Sequence, residues 1–278
     1  MDAFDLFLNF PMLEFGPDEV AAQAIDPETA ERGVHLFSRN GCLLVKSAFA
    51  PEYIRKVRDA FLETYDAYFR EGHPDAQLVG DRRIMITVDI SGPFNSPQLY
   101  ANPLIFPIIE ALLGTDAIVG SLGSVSSLPG AQNQHTHRDI ENIYDQPELQ
   151  AGIENVLSSM PPYAINVMVP LIELGETCGT TRLYLGSHVM PRTHRRYITL
   201  DPHTNIGDCV LMDFRLLHEG RANHSDHVRP IMYVVYYRSW FIDTENYPKH
   251  DPIKLSPTEY AKIPERYRRL FSRVFPAR

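Results

Sequence analysis

The stretch Cys209-Val210-Leu211-Met212-Asp213-Phe214 is short, apolar and rich in residues that favour β-strands. Similar segments recur through the second half of the chain, with Gly, Pro, Asp and Asn between them: Ala117-Ile118-Val119, Tyr163 to Leu174 and Ile231 to Phe241. Several short strands separated by such turn residues predict an all-β sandwich or barrel. We therefore expect a β core that covers about residues 116–245.

Helices are predicted on both sides of this core. Asp26 can cap a helix that ends at Gly41, and Pro51 begins a longer one. A helix capped by Ser256 closes the chain and reaches Phe271. Because no repeat or linker is visible, we expect a mainly β fold with flanking helices in a single domain over residues 1–278. Its parts are a largely helical segment (about 1–115), the β core (about 116–245) and a helical extension (about 246–278).

Composition argues against several classes of function. With 26 Lys and Arg against 35 Asp and Glu, the 278-residue chain has a formal net charge of −9, whereas nucleic-acid binding needs a basic face. Hydrophobic residues make up 44% of the chain, enough for a sizeable core. Cys42, Cys178 and Cys209 form no CxxC pair, so neither a disulfide framework nor a zinc ribbon is expected.

The sequence also gives an expectation about location. No segment approaches the ~20 consecutive apolar residues of a membrane span, and residues 1–5 lack the cationic region of a signal peptide. We therefore expect a cytoplasmic protein without nucleic-acid or membrane partners. Its oligomeric state is not predictable from the sequence.

Histidines and carboxylates are grouped in a pattern typical of a metal site. His137 and Asp139 are two residues apart, so both side chains lie on the same side of an extended strand. With His218 they form a two-histidine, one-carboxylate set, which leaves three positions of an iron ion open. The gap between Asp139 and His218 holds several candidate strands, as a double-stranded β-helix (jelly roll, cupin-like) requires.

Two other His-x-Asp pairs are weaker candidates. His73-Pro74-Asp75 follows a glycine and contains a proline, which is typical of a turn. His224-Ser225-Asp226 leaves too little chain downstream for a barrel, so we interpret it as a loop.

Arg229 stands at the start of the apolar strand Pro230 to Tyr237. An arginine that points into a barrel can hold a dicarboxylate through a bidentate, charge-assisted pair. Taken alone, such an arginine is better explained as a surface salt bridge, and only its neighbours favour a binding role.

Four segments together resemble the phytanoyl-CoA dioxygenase-like branch of the iron(II)/2-oxoglutarate oxygenases. The resemblance covers residues of about 30–245. Gly41 to Val45 with Phe49 to Glu52 is similar to the family's opening strand and helix, and His137-Arg138-Asp139 is similar to its metal dyad. Cys178 to His188 is similar to its N-G-A-T-R-x-x-P-G-S-H turn and strand. The family's distal segment is similar to His218-x-Gly220, Asn223-x-Ser225 and Arg229.

The resemblance implies a function and a set of site residues. It implies that His137, Asp139 and His218 hold Fe(II) and carry catalysis, and that Arg229 binds the distal carboxylate of the cosubstrate 2-oxoglutarate. Thr181 is expected to place a hydroxyl near that cosubstrate. The reaction implied is hydroxylation of an aliphatic C–H group of a small organic metabolite, with consumption of O2 and release of succinate and CO2.

His135 is a further candidate next to this set. It lies two residues before His137 and therefore on the same strand face, where it could contact cosubstrate or substrate or serve as an alternative ligand. The chain departs from the family's pattern at Cys178, Thr180 and Leu185, all in the turn-and-strand segment. Related halogenases lack the metal carboxylate, so the presence of Asp139 disfavours halogenation.

Substrate contacts are less well defined by the sequence. Four residues lie in segments that could line the mouth of a barrel: Arg83, Met85, Tyr237 and Trp240. The C-terminal segment is basic within an acidic protein, through Arg266, Arg268, Arg269, Arg273 and Arg278. We interpret it as a solvated helix face; contact with an anionic substrate handle, such as a coenzyme A phosphate, is the alternative.

Two alternative functions fit parts of the same pattern. One is a cupin-type iron dioxygenase or isomerase that does not use 2-oxoglutarate, against which the position of Arg229 weighs. The other is a non-catalytic jelly roll that binds a ligand, against which the intact His–Asp–His set weighs.

Overall fold

The structure is a computed structural model that describes residues 10–70, 73, 77–140, 160–189, 196–247 and 251–276. In this part of the chain no helix is long and apolar enough to cross a membrane. The secondary structure is organised around two β-sheets of unequal size, with helices packed against the larger one.

Eight strands form the large sheet, in the order β1-β2-β9-β6-β11-β5-β4-β3. They are β1 (Met12–Glu14), β2 (Cys42–Lys46), β3 (Gln77–Leu78), β4 (Arg83–Thr87), β5 (Ile118–Ser127), β6 (Ala164–Pro170), β9 (Cys209–Asp213) and β11 (Arg229–Tyr237). All pairs in this sheet are antiparallel except β1 with β2. β5, β6, β9 and β11 are the segments that the sequence predicts as the β core.

The small sheet has the order β10-β7-β8 and consists of β7 (Thr181–Tyr184), β8 (Thr199–Leu200) and β10 (His218–Gly220). Leu183 of β7 belongs to the same buried cluster as Met168 of β6 and Met212 of β9, so the small sheet packs against the large one. Alternation along β11 separates the two faces of the large sheet: Ile231 points toward the small sheet, whereas Met232 joins the helical side. The predicted jelly-roll core with flanking helices is confirmed.

Seven α-helices occur in the described residues. They are α1 (Pro17–Ala22), α2 (Pro27–Asn40), α3 (Pro51–Tyr65), α4 (Pro97–Tyr100), α5 (Phe106–Leu113), α6 (Pro257–Lys262) and α7 (Glu265–Arg268). Proline at the first turn explains most of these starts, because it lacks only an N–H that would be unpaired there. α2, α3 and α5 cover the outer face of the large sheet with Phe37, Phe61 and Ile109.

Two helical expectations are modified by the structure. Residues up to 115, expected to be largely helical, also contribute β1 to β4 to the large sheet. The closing helix is capped by Ser256 as expected, but it is divided into α6 and α7. Pro264 stands between them and cannot supply the N–H that a continuous helix needs. The division into one domain with three parts stays a prediction.

The basic C-terminal segment serves the structure of the fold. Arg268 donates to the carbonyl oxygen of Ile263, and Arg269 forms an ion pair with Glu110 of α5. The segment is therefore partly packed against the fold and is not only the solvated helix face expected from the sequence; Arg268 and Arg269 do not line the pocket between the two sheets. Arg278 lies outside the described residues.

Candidate active site

A pocket of about 330 Å³ lies between the two sheets, and we call it the central pocket. Its wall combines residues of both sheets with residues of the segment that precedes position 140. The lining residues are Val79, Met85, Val125, Gln134, His135, His137, Asp139, Asn166, Met168, Thr181, Met212, His218, Gly220, Arg229, Ile231, Tyr233 and Asn246. Its size is at the lower end of the range for small-molecule sites.

His137, Asp139 and His218 meet in this pocket. One ligand atom from each lies within 4.8 Å of the others, and His218 Nε2 is 3.5 Å from a carboxylate oxygen of Asp139. The two histidine segments are joined by an antiparallel bridge, with N–H···O distances of 2.9 and 2.8 Å between His137 and His218. In the part of the chain that the structure covers, this is the one group of three His, Cys, Asp or Glu side chains that could hold a metal ion.

Backbone carbonyl groups orient both imidazole rings. His137 Nδ1 is 2.9 Å from the carbonyl oxygen of His135, and His218 Nδ1 is 3.0 Å from that of Leu216. A carbonyl oxygen can only accept, so each Nδ1 carries the proton and each Nε2 keeps its lone pair. This is the tautomer that a metal-binding histidine needs.

The protonation state of His137 also suits a ligand. Burial lowers its pKa, and a charge on His218 would lower it further, whereas Asp139 opposes the shift. The side chain is therefore neutral at neutral pH. Two imidazole nitrogens and one carboxylate oxygen on adjacent segments match the donor set of the facial triad that binds iron(II).

Arg229 lines the same pocket and is 2% exposed. Its Nη1 donates to the carbonyl oxygens of Thr180 and Arg221, both at 3.2 Å, and its buried Nε has no partner in the described chain. No carboxylate pairs with it among the described residues. Burial and the nearby Arg83 lower its pKa to about 10, which still leaves it cationic at neutral pH.

Arg83 lies next to Arg229 but outside the pocket lining. Both residues are in register with Ser127, which places them on the same face of the large sheet. Arg83 donates to Ser127 Oγ at 2.8 Å and to the carbonyl oxygens of Gln132, Gly220 and Arg221. These bonds connect β4 with both segments that carry the histidines. A Cβ at Gly220 would lie 3.2 Å from Arg83 Cζ, so glycine permits this close approach.

The other expected site residues have different positions. Thr181, His135 and Met85 line the central pocket. Tyr237 is buried beyond it, and its hydroxyl group donates to Asp243 at 3.1 Å. Trp240 is 61% exposed and is not among the lining residues. Seven of the expected residues therefore line the pocket: Met85, His135, His137, Asp139, Thr181, His218 and Arg229.

Four polar or aromatic lining residues were not expected from the sequence: Gln134, Asn166, Tyr233 and Asn246. Asn166 interrupts an apolar strand, and its Oδ1 is buried without a partner in the described chain. That interruption is the one signal the sequence offers for it. Asn246 donates to the carbonyl oxygen of Asp139 at 2.9 Å and so supports a residue of the triad.

The described residues of the two weaker His-x-Asp pairs, His73, His224, Ser225 and Asp226, are not among those that line the pocket. Pro74 and Asp75 lie outside the described residues. Asp226 is fully exposed and pairs with its neighbour His227, in agreement with the loop interpretation.

Comparison with known proteins gives a consistent family assignment. The sequence profile of the family described as "Phytanoyl-CoA dioxygenase (PhyH)" matches residues 37–231. The chain is 23% identical over 214 residues to the dioxygenase FrzG of Cladobotryum sp, covering 68% of each chain.

Solved structures share the fold at low sequence identity. The epimerase SnoN from nogalamycin biosynthesis superposes with a TM-score of 0.60 at 16% identity and covers 82% of this chain and 89% of its own. HygX from Streptomyces hygroscopicus, solved with nickel and 2-oxoglutarate, gives 0.56 at 14% identity and covers 80% and 91%. At this low sequence identity, the structural similarity shows a shared fold and nothing further.

Proposed function

The chain belongs to the phytanoyl-CoA dioxygenase family, and from this premise we propose that it hydroxylates an aliphatic C–H group of a small organic molecule in the central pocket. Family membership confirms the predicted enzyme class, a 2-oxoglutarate-dependent dioxygenase, and the predicted cofactors, iron and 2-oxoglutarate. The observation that carries the proposal is that His137, Asp139 and His218 share one pocket with a buried arginine that has no carboxylate partner among the described residues.

The residues fit an iron ion and its cosubstrate. His137, Asp139 and His218 would hold Fe(II), with both Nε2 atoms available as ligands. Arg229 would bind the distal carboxylate of 2-oxoglutarate, because a buried guanidinium without a counter-charge is costly until an anion pairs with it. When bound, iron and 2-oxoglutarate supply the oxidising power, with O2 as the oxidant and succinate and CO2 as the co-products.

The protein's contribution is orientation and exclusion of water. The carbonyl groups of His135 and Leu216 fix the imidazole rings, and Asn246 holds the backbone of Asp139. Apolar side chains along the wall, such as Met85 and Val125, keep water from the reacting C–H group, which raises the effectiveness of positioning.

The lining also bears on the substrate. Among the lining residues that the structure describes, Arg229 is the one arginine or lysine. If Arg229 binds the cosubstrate and the triad binds the metal, the rest of the lining, apart from His135, is apolar or carries hydroxyl groups and neutral amides such as those of Gln134 and Asn246. We therefore expect an uncharged organic substrate. Two neighbours were solved with an organic small molecule beside the metal and cosubstrate: SnoN with Fe3+, alpha ketoglutarate and nogalamycin RO, and HygX with nickel, 2-oxoglutarate and hygromycin B.

A turnover screen tests the proposal. The full chain with Fe(II) is incubated in air with 2-oxoglutarate and a panel of uncharged metabolites, and succinate and product masses are measured. We expect succinate only when 2-oxoglutarate and iron are both present, with a product that has gained one oxygen atom. A product with the same mass as the substrate would show that the reaction is an isomerisation and not a hydroxylation. Product formation without 2-oxoglutarate would favour the cupin-type alternative, and no turnover across the panel would favour the non-catalytic one.

A further inference from the structure

The two histidines of the triad come from segments that are joined by an isolated bridge and not by a continuous ladder. His218 belongs to the three-residue strand β10 and pairs with His137 at this bridge; the nearest backbone bonds on either side are those from Gln134 N to Gly220 O at 2.9 Å and from Asp139 N to Phe214 O at 3.0 Å. The distance between the two Nε2 atoms therefore depends also on the side-chain contacts between the two segments. A metal ion binds well only when its donors are already held at the required spacing.

The opposite face of this bridge carries a hydrogen-bonded carboxylate. Thr136 and Glu219 directly adjoin His137 and His218, so their side chains point away from the pocket. Glu219 Oε2 accepts from Thr136 Oγ1 at 2.8 Å. This is a side-chain link between the two segments that carry the histidines.

Glu219 is also tied to the rest of the small sheet. Its Oε2 accepts from the Tyr184 hydroxyl group at 3.1 Å, and its Oε1 accepts from Arg221 Nη1 at 2.7 Å. The Glu219 side chain is only 11% exposed. Hydrogen bonds to a shielded carboxylate are stronger than those between neutral groups, so the link to Thr136 is held firmly.

We propose that Glu219 is a positioning residue of the metal site: through Thr136 it sets the spacing of His137 and His218. The inference rests on the proposed function, since it assumes that these histidines bind the metal. Glu219 itself makes no contact with metal or substrate, and its effect passes through the backbone bridge.

The test measures metal affinity and stability separately, with Co(II) as the probe. Full-length protein free of metal is titrated with Co(II), and its thermal unfolding is followed in parallel. We expect Glu219→Gln to weaken Co(II) binding about 10- to 100-fold, the usual effect of losing a group that orients a ligand. Thr136→Val should weaken it in the same direction, and the double variant should be no worse than Glu219→Gln alone, because both changes break one link.

Glu19→Gln is the matched control. Glu19 is also a buried carboxylate that accepts hydrogen bonds, from the backbone N–H groups of Gly16 at 2.7 Å and Asp26 at 2.8 Å, but it does not touch Thr136 or Glu219. Co(II) affinity of this variant should stay within about twofold of wild type.

Three outcomes separate the possibilities. Unchanged Co(II) affinity in Glu219→Gln, with a lower unfolding temperature, would overturn the inference and leave Glu219 a structural role. If Glu219→Gln does not fold, unchanged affinity in Thr136→Val overturns it equally. Absence of Co(II) binding by the wild-type protein would instead contradict the proposed function, and the inference with it.

Discussion

Asn166 is the polar residue of β6 that faces the central pocket, and its Oδ1 is buried without a partner among the described residues. A buried oxygen that has lost its water without gaining a hydrogen bond costs about 1–3 kcal/mol. Such a cost persists in a folded protein when a bound ligand supplies the missing bond. Asn166 is therefore a candidate contact of whatever binds beside the triad.

Asn166→Leu should separate stability from function. We expect the free energy of unfolding of the ligand-free protein to rise by about 1 kcal/mol, because the unsatisfied group is removed at similar volume. Turnover of 2-oxoglutarate should fall. Urea denaturation and succinate release measure the two effects, and Val167→Ile, in the same strand but on the face away from the pocket, is the control. Lower stability with unaltered turnover would show that Asn166 serves the fold alone.

The choice of distal histidine can be tested residue by residue. His218→Ala should lose the bound iron, since two remaining donors do not fix the ion, whereas His224→Ala should keep it because His224 lies on the exposed loop. The measurement is iron content per chain after anaerobic loading and desalting. Full iron content in His218→Ala would show that another residue is the distal ligand.

The extent to which single residues could be predicted depends on how far apart their partners are in the chain. His137 and Asp139 were recognisable because their shared face follows from a spacing of two residues. Glu219 and Asn166 were not, because their surroundings are built by segments far apart in sequence. Trp240 was a candidate because its segment could line the mouth of the barrel, but the structure places it on the surface.

At the scale of elements, the junction of α2 and β2 is a closely packed turn. Gly41 ends α2 with φ of 76° in the left-handed region, as the sequence predicts. A Cβ at this position would lie 2.5 Å from His188 Nδ1 and 2.7 Å from Leu216 Cδ1. The junction therefore requires glycine both for its conformation and for its space.

Gly41→Ala should lower the free energy of unfolding by at least about 2 kcal/mol, from the left-handed conformation and the contact with His188 together. Gly175→Ala is the control, since nothing lies within 4 Å of its Cβ. Chemical denaturation of both variants measures the difference. Equal stability of the two would contradict the packing described for this junction.

The elements themselves were predictable to different degrees. Helices that begin with proline and end at glycine carry local signals, and α2 and α3 were found at their expected positions. β1, β3 and β4 are short strands without strong alternation, so their membership of the large sheet depends on partners such as β5. Only tertiary packing identifies such strands.

At the scale of the whole molecule, burial of ionisable groups connects the fold to pH. His188 is buried, with Nε2 donating to the carbonyl oxygen of Ser38 at 3.1 Å and Nδ1 unpartnered in the described chain. Burial lowers its pKa; Asp213 opposes the shift and Arg215 adds to it. The folded protein thus keeps His188 neutral at pH values where the unfolded chain protonates it.

His188 should therefore contribute to acid denaturation. Its stabilising effect is complete above the ordinary histidine pKa of about 6.5, and it is lost as the pH falls toward the lower folded pKa, by up to about 1.4 kcal/mol per pH unit. His188→Gln removes this contribution, so the stability advantage of wild type over the variant should shrink between pH 7 and pH 5. Urea denaturation at several pH values measures it, and a difference independent of pH would exclude His188 as a contributor.

The central pocket as a whole contains the buried cation Arg229 together with the triad, and this combination is the basis of the proposed cosubstrate site. Calorimetric titration of the Ni(II)-loaded full chain with 2-oxoglutarate tests it most directly. We predict that the wild-type protein binds one 2-oxoglutarate per chain. Arg229→Ala should weaken 2-oxoglutarate binding by about 2–5 kcal/mol, or roughly 30- to several-thousand-fold, and Arg229→Lys should have an intermediate affinity. Arg39→Ala, at an exposed position of α2, should bind as wild type does. If folded Arg229→Ala binds 2-oxoglutarate as tightly as wild type, or if wild type does not bind it, the proposed cosubstrate site is contradicted.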